Sequence, residues 1–514
     1  MLLACCPPPL VPTMAKHLQF APLDPATRLD DARRERDRQA ATHVDVLVVG
    51  GGITGVGVAL DAAARGLDVV LVEKEDLAFG TSRWSSKLAH GGLRYLAQGQ
   101  LGVALESSRE RSVLATYVAP HLISPLPQVV PAFDDDRRSA RLALAGFRAG
   151  NMLRAAAGTS RSILPAPRRV DDKTALQLVP GLRRSGLRGA AVGWECQLID
   201  DARLVIAIAR TAAGYGAKIL LGSEAERVDS TSGEALVRDH RLGDSFTITA
   251  GTIVNATGVW AGQLDPSVEL EPSLGTHVVM PTALVGAGRG SLTVPVPGHT
   301  SRFVFSLPQP GGVSYVGITD RPSPDGMVEV PTAPDEDIDW ILDILSSALE
   351  QPVAATDRLG AFAGLRPLVA DPTASHSADL SRKQLLRRSG RMISIVGGKL
   401  TTYRQMAANV VDLISDRPCP TATLPLVGAG NGSIDPQIPD LLRRCYGSEA
   451  PEVWRRYRGD DSIDPVLAAR LRFGRDFEAA VRPADLLERR TRLGLLPVPA
   501  TIAEYANALC LTAG

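Results

Sequence analysis

Gly50-Gly51-Gly52-Ile53-Thr54-Gly55 follows the β-branched run Val44-Asp45-Val46-Leu47-Val48-Val49 and opens a stretch of helical pattern. The Gly50-x-Gly52-x-x-Gly55 spacing allows a tight turn whose backbone N–H groups can reach a pyrophosphate, while the helix N-terminus supplies positive dipole. Glu73, about twenty residues on, ends the next apolar run, where a carboxylate can accept hydrogen bonds from a ribose diol. A 2′-phosphate would be repelled there, which disfavours NADP. Glycine-rich turns are common; the flanking strand patterns and Glu73 are what make this one a dinucleotide site. A second concentration of chemistry is Gly397-Gly398-Lys399, between Met392-Ile393-Ser394-Ile395-Val396 and a helical stretch from Leu400. An ammonium and a helix N-terminus at one spot suit negative charge that builds up during a reaction. The bland alternative is a glycine turn with Thr401 or Thr402 as helix cap. Between these sites, the stretch from Thr81 to Leu96 is small, polar and broken by Gly91 and Gly92, and such a loop can lie along an extended cofactor.

These residues need a frame. Residues 44–49, 56–65 and 67–73 read as strand, helix and strand, with Gly66 as the stop, the opening of a doubly wound α/β domain. Residues 190–193 with a helix over 201–215, the run 251–258, and the run 392–398 with a helix over 400–414 are expected to return to that sheet. The cofactor domain is then discontinuous, over 44–115, 195–270 and 356–415. The intervening 116–194 and 271–355 form a second domain, in which Arg302-Phe303-Val304-Phe305-Ser306 and Val313-Ser314-Tyr315-Val316-Gly317-Ile318 alternate as antiparallel strands do. Residues 416–514 read as a polar, helical C-terminal domain, and residues 1–43 as a flexible or loosely docked arm.

Composition excludes other classes. A chain of 514 residues is too long for one core and predicts two or three domains. Basic and acidic residues balance at 56 each, which argues against broad binding to nucleic acid. No apolar run reaches the roughly eighteen residues of a membrane span. The 6 cysteines and 8 histidines show neither zinc nor CxxC nor His-x-x-x-His spacing, so no metal centre is expected.

Ser85-Ser86-Lys87-Leu88-x-His90-Gly91-Gly92-Leu93-Arg94-Tyr95-Leu96 and Gly397-Gly398-Lys399-Leu400-Thr401-Thr402-Tyr403-Arg404 carry a specific likeness. With the Gly50–Gly55 turn, they resemble the FAD-dependent glycerol-3-phosphate dehydrogenases. Asp200-Asp201-Ala202-Arg203-Leu204, Val254-Asn255-Ala256-Thr257-Gly258-x-Trp260, Gly317-Ile318-Thr319-Asp320 and Gly364-Leu365-Arg366-Pro367-Leu368 follow in the family's order, over about residues 44 to 415.

The resemblance implies a Rossmann-like FAD-binding domain, an antiparallel-sheet substrate (cap) domain, and oxidation of sn-glycerol 3-phosphate to dihydroxyacetone phosphate. Hydride would pass from C2 of the polyol to flavin N5, the two atoms held about 3–3.5 Å apart. FAD would be held by Gly50, Gly51, Gly52, Thr54, Gly55, Glu73 and Lys74. Thr81, Ser82, Ser86, Lys87, Leu88, Gly91 and Gly92 would add to this, as would Gly258, Gly398, Lys399, Leu400 and Thr401. A phosphate dianion needs several charge-assisted donors. On the family pattern these are Arg94 and Arg366, with Lys399 nearby, Tyr95 lining the pocket, and Arg382, one residue out of register, as a weaker fourth. His277 and His90 are the candidates for the base that takes the C2 hydroxyl proton; a lone histidine among valines is equally a hydrogen-bonded core residue.

The resemblance further implies a membrane quinone as acceptor and a cytoplasmic protein held peripherally on the inner face of the cell membrane. A homodimer is compatible with it. Residues 137–154, with Leu142, Leu144, Phe147, Met152 and Leu153 beside Arg137, Arg138, Arg141, Arg148 and Arg154, are suited to lie on an anionic lipid surface. Three alternatives stand beside this reading: an oxidase that passes electrons to oxygen, an amine or amino-acid oxidase of the same fold, and a non-catalytic flavin-binding adaptor. One departure is a C-terminal domain that looks shortened between Gly474-Arg475-Asp476-Phe477-Glu478 and Asp485-Leu486-Leu487-Glu488-Arg489-Arg490. On sequence it bears on tail stability or dimer contacts more than on activity.

Overall fold

Strand His43–Val49 buries Val44, Val46, Leu47 and Val48 completely and is hydrogen-bonded on both sides. Its neighbours, Val69–Glu73 and Asp244–Asn255, run parallel to it. Lys218–Leu221 and Met392–Gly397 extend the parallel sheet, and Gln384–Ser389 closes one edge antiparallel. Burial on both faces explains why these strands read as nearly unbroken apolar runs. Helix Ile53–Ala64 packs between helices Asp201–Gly214 and Tyr403–Val411. Gly57 permits the second contact, since a Cβ there would lie 2.9 Å from the Tyr403 ring. The computed structural model describes Leu23 and residues 43–97, 99–299, 302–369, 384–430, 432–459 and 462–511.

A second sheet has 10 strands. Its centre is built from Ile123–Phe133, Leu187–Leu198, Leu270–Pro281, Ser291–Pro295, Phe303–Gln309 and Val313–Gly317. The two alternating segments pair antiparallel, Phe303–Gln309 against Val313–Gly317, as their period predicts. Helix Asp335–Ser346 covers one face through Ile338, Ile341, Leu342 and Leu345.

One segment expected in the cofactor sheet lies in this one instead, and a strand inside the stretch 356–415 joins it. Residues 190–193 belong to Leu187–Leu198, antiparallel to Ile123–Phe133, and Gly360–Val369 pairs with Leu270–Pro281. An apolar strand pattern states burial, not partner. The helices Asp440–Tyr446, Ala450–Tyr457 and Pro465–Phe477 share a core with helix Asp201–Gly214, and Leu471 joins Ala480, Leu486 and Ala506 in a smaller C-terminal cluster. Two buried ion pairs tie the C-terminal region to helix Asp201–Gly214, Arg210–Glu449 at 2.7 Å and Arg203–Glu478.

Leu23 of the N-terminal arm is docked: it is buried and its N–H donates to the Phe477 carbonyl at 2.9 Å. The basic helix is real, Arg137–Ala156, but its faces differ from the expectation. Leu144 and Phe147 pack on the second sheet with Val130 and Ala191, and Arg154 is buried. Leu142 and Met152 are exposed, as are Arg137, Arg138, Arg141 and Arg148. No described helix is long and apolar enough to cross a membrane.

Candidate active site

The glycine turn forms as its spacing demands. A Cβ at Gly55 would stand 1.9 Å from the Gly50 carbonyl oxygen, so no other residue fits. Gly52 precedes helix Ile53–Ala64 without a side-chain cap, leaving the helix N-terminus open toward a ligand. Glu73 ends its strand beside this turn, accepting from the N–H of Gly51 at 2.6 Å and of Glu75 at 2.8 Å. Loss of surrounding water still pushes its carboxyl up to about 7. Gly50, Gly52, Thr54, Glu73 and Lys74 line one end of a cavity of about 2150 Å³ that runs between the two sheets. Gly51 and Gly55 shape the turn from behind. Lys74 reaches Glu224 and Glu329 at 3.5 and 3.4 Å on the rim.

The loop after the second strand follows the cavity wall. The Ser82 hydroxyl accepts from the Ile53 N–H at 2.9 Å, and the Thr81 hydroxyl donates to the Leu365 carbonyl at 2.6 Å. Thr81, Ser82, Ser86, Leu88 and Gly92 all line the cavity. Lys87 does not. Its ammonium is buried and donates to Asp201 at 2.8 Å and to the carbonyls of Arg83 and Ser85. Burial pushes it down to about 8, against the pull of Asp201. The Lys87 ammonium therefore braces the loop from behind the cavity wall. Gly91 also stands behind the wall, where its N–H faces Glu195 at 3.3 Å. Glu195 is ion-paired with the buried Arg111 at 2.8 Å.

Gly258 and the turn Gly398, Lys399, Leu400 and Thr401 close the far side. Gly398 has φ 71, a conformation that favours glycine, and this swings Lys399 toward the cavity. The Lys399 ammonium donates to the Ser107 hydroxyl at 2.7 Å and lies 3.5 Å from the centroid of the Tyr95 ring. Across the cavity the Arg366 guanidinium contacts Asp320 and the Ser273 hydroxyl at 3.4 Å and the Thr319 carbonyl at 3.2 Å. Ser107 and Asp320 carried no role in the sequence reading. Asp320 stood in the quoted Gly317-Ile318-Thr319-Asp320 block, whereas nothing local marks Ser107.

The two histidines separate. His90 is exposed on the cavity wall. His277 is fully buried and does not line it. Its ring stacks on Phe362 at 4.7 Å, and its Nε2 lies 3.0 Å from the Ser86 hydroxyl. Burial, with Lys87 and Arg366 nearby, holds it well below the ordinary histidine value, so it stays neutral. His277, which the sequence leaves open as either the base or a hydrogen-bonded core residue, sits behind the cavity wall against the Ser86 hydroxyl. Arg94 lies on helix Leu93–Ala97, but its side chain is outside the described residues, as is all of Arg382.

One wall therefore offers a helix N-terminus and a diol-accepting carboxylate; the other offers two cations, a phenol and an exposed imidazole. The open turn at Gly52 and the half-buried Glu73 fit the diphosphate and ribose of a dinucleotide. The comparisons agree with this geometry. The family described as FAD dependent oxidoreductases matches residues 45–404. "Glycerol-3-phosphate dehydrogenase 1" of Mycobacterium tuberculosis is 44% identical over 497 residues, covering 91% of this chain and 95% of that protein. The mitochondrial glycerol-3-phosphate dehydrogenase SDP6 of Arabidopsis thaliana is 36% identical, covering 90% and 81%. The crystal structure of the glycerol-3-phosphate dehydrogenase from Bacillus halodurans complexed with FAD superposes with a TM-score of 0.71 at 27% identity, covering 91% of this chain and 89% of that one.

Proposed function

From the premise that this chain belongs to the FAD-dependent glycerol-3-phosphate dehydrogenases, we propose that it oxidises sn-glycerol 3-phosphate to dihydroxyacetone phosphate and passes the electrons to a membrane quinone. The observation that carries this reading is that Arg366 and Lys399 line the same cavity as the dinucleotide turn. An amino-acid substrate would need a carboxylate clamp in apolar surroundings; a phosphate dianion needs this spread of cationic donors.

FAD, when bound, supplies the two-electron acceptor for the hydride leaving C2 of the polyol. Arg366 binds the phosphate through its planar fork, with Asp320 and the Thr319 carbonyl fixing the plane of the guanidinium. Lys399, steadied by Tyr95 and Ser107, places positive charge where negative charge accumulates. His90, which lines the cavity, takes the C2 hydroxyl proton on this reading. His277 sets the Ser86 hydroxyl from behind.

The quinone reading draws support from helix Arg137–Ala156. Its Arg138 and Leu142 line the outer cavity, and its exposed arginines and Leu142 and Met152 suit an anionic headgroup layer. We read the protein as peripheral to the inner face of the cell membrane on this basis. The test is turnover of glycerol 3-phosphate with a short-chain quinone against turnover with oxygen alone. Quinone-dependent turnover with little peroxide is expected; equal turnover with oxygen alone would make the protein an oxidase.

A further inference from the structure

The segment Asp485–Arg490 and the residues after it carry more buried charge than a packing element needs. Arg490 forms a two-pronged contact with Asp76, at 2.7 and 2.9 Å, and Arg489 reaches the same carboxylate at 2.5 Å. The side chains of all three are almost wholly out of solvent. Arg492 donates to the Arg83 carbonyl at 2.5 Å and is ion-paired with Asp200 at 3.2 Å. Arg83 is held in turn by Glu488, and its guanidinium lies 4.2 Å from the Trp84 ring centroid.

Asp76 and Arg83 bracket the loop that follows the cavity wall. Ala78, two residues after Asp76, donates to the Gly51 carbonyl at 3.1 Å, so the loop is also pinned to the dinucleotide turn. Trp84, Ser85 and Ser86, directly after Arg83, line the cavity. Burying arginines and carboxylates costs desolvation, and apolar side chains of similar volume would fill the same space with less penalty. What a guanidinium fork adds is a fixed direction.

We propose that residues 485–492 are a clamp on the cofactor loop, in which Arg489, Arg490 and Arg492 are positioning residues that hold 76–86 in the shape FAD requires. The C-terminal region, read from sequence as remote from the chemistry, is then part of the cofactor site.

The experiment is FAD release from the holoenzyme, followed as a rise in flavin fluorescence after dilution, at a temperature where far-UV circular dichroism is unchanged. Arg490→Gln and Arg492→Gln are expected to release FAD at least tenfold faster than wild type. Arg492→Lys keeps a donor for the Arg83 carbonyl and is expected to recover part of the difference. Arg455→Ala removes an exposed pair with Glu452 on helix Ala450–Tyr457 and is expected to release FAD at the wild-type rate. If Arg490→Gln does not fold, the two Arg492 variants decide. Wild-type release in Arg492→Gln, or release that only keeps pace with loss of the far-UV signal, would overturn the clamp.

Discussion

The ammonium of Lys399 sits over the face of Tyr95, 3.5 Å from the ring centroid, although the two residues are far apart in the chain. The contact joins the Gly397-Gly398 turn to the short helix Leu93–Ala97 and aims a positive charge along the cavity wall. A cation over an aromatic ring is worth roughly 0.5–2 kcal/mol. Tyr95→Leu should therefore loosen Lys399 and lower kcat several-fold, whereas Lys399→Met should lower it much further. Steady-state kinetics of both variants check the order; equal effects would mean that Tyr95 acts on substrate directly.

Arg366→Ala should raise KM for glycerol 3-phosphate roughly ten- to a hundredfold, because charge-assisted hydrogen bonds of about 1.5–3 kcal/mol are lost. Arg366→Lys should recover only part, since a point charge cannot reproduce the fork. Asp320→Asn tests the support of the guanidinium and should give a smaller rise. Unchanged KM in the Ala variant, with FAD still bound, would place the phosphate elsewhere.

The histidines should differ sharply. With His90 as the proposed base, His90→Asn should lower kcat by roughly 10²–10⁴-fold. His277→Gln can still hydrogen-bond Ser86 and should cost less than tenfold, with a clearer loss in thermal stability. The reverse order in kcat would return the base to His277.

Glu73 makes the flavin-free protein sensitive to pH. Its folded value of about 7 stands above the ordinary 4.5, so its contribution to stability is full below 4.5 and is lost as pH rises through 7. FAD affinity should move the other way, rising over that range as the carboxylate becomes available to the ribose hydroxyls. Thermal melts of the apoprotein and FAD titrations from pH 5 to 8 measure both slopes. Glu73→Gln should flatten them; a persisting slope would assign the proton to another group.

Legibility followed locality. The dinucleotide turn, Glu73 and the Gly397–Lys399 turn are each defined by neighbours within a few residues, and all three form as read. The sequence could not choose between the two readings of His277, because its burial comes from Phe362 and Ser86, brought by distant strands and loops. Lys87 lies inside the most specific motif, yet its partner Asp201 is more than a hundred residues away, and that ion pair turns it from the cavity. Residues 190–193 were placed in the wrong sheet because an apolar run does not name a pairing partner. Arg489 and Arg490 drew no reading from the sequence, since nothing nearby announces Asp76.

Membrane docking should depend on the outward face of helix Arg137–Ala156. Leu142→Asp, Met152→Asp and Arg141→Glu should each weaken flotation with anionic liposomes, and high salt should mimic the arginine change. Phe147→Asp should instead lower the melting temperature, because Phe147 packs against Gly193. Flotation indifferent to all three surface changes would remove this helix from the docking surface.

The central claim is that glycerol 3-phosphate delivers its electrons to FAD held in this cavity. Mixing the purified holoenzyme with glycerol 3-phosphate without oxygen, and watching the visible flavin absorption, tests it in one step. The yellow band should bleach rapidly, one dihydroxyacetone phosphate should form per flavin, and an amino acid or amine should leave the band untouched. A flavin that stays oxidised with glycerol 3-phosphate, or that an amino acid bleaches instead, would contradict it.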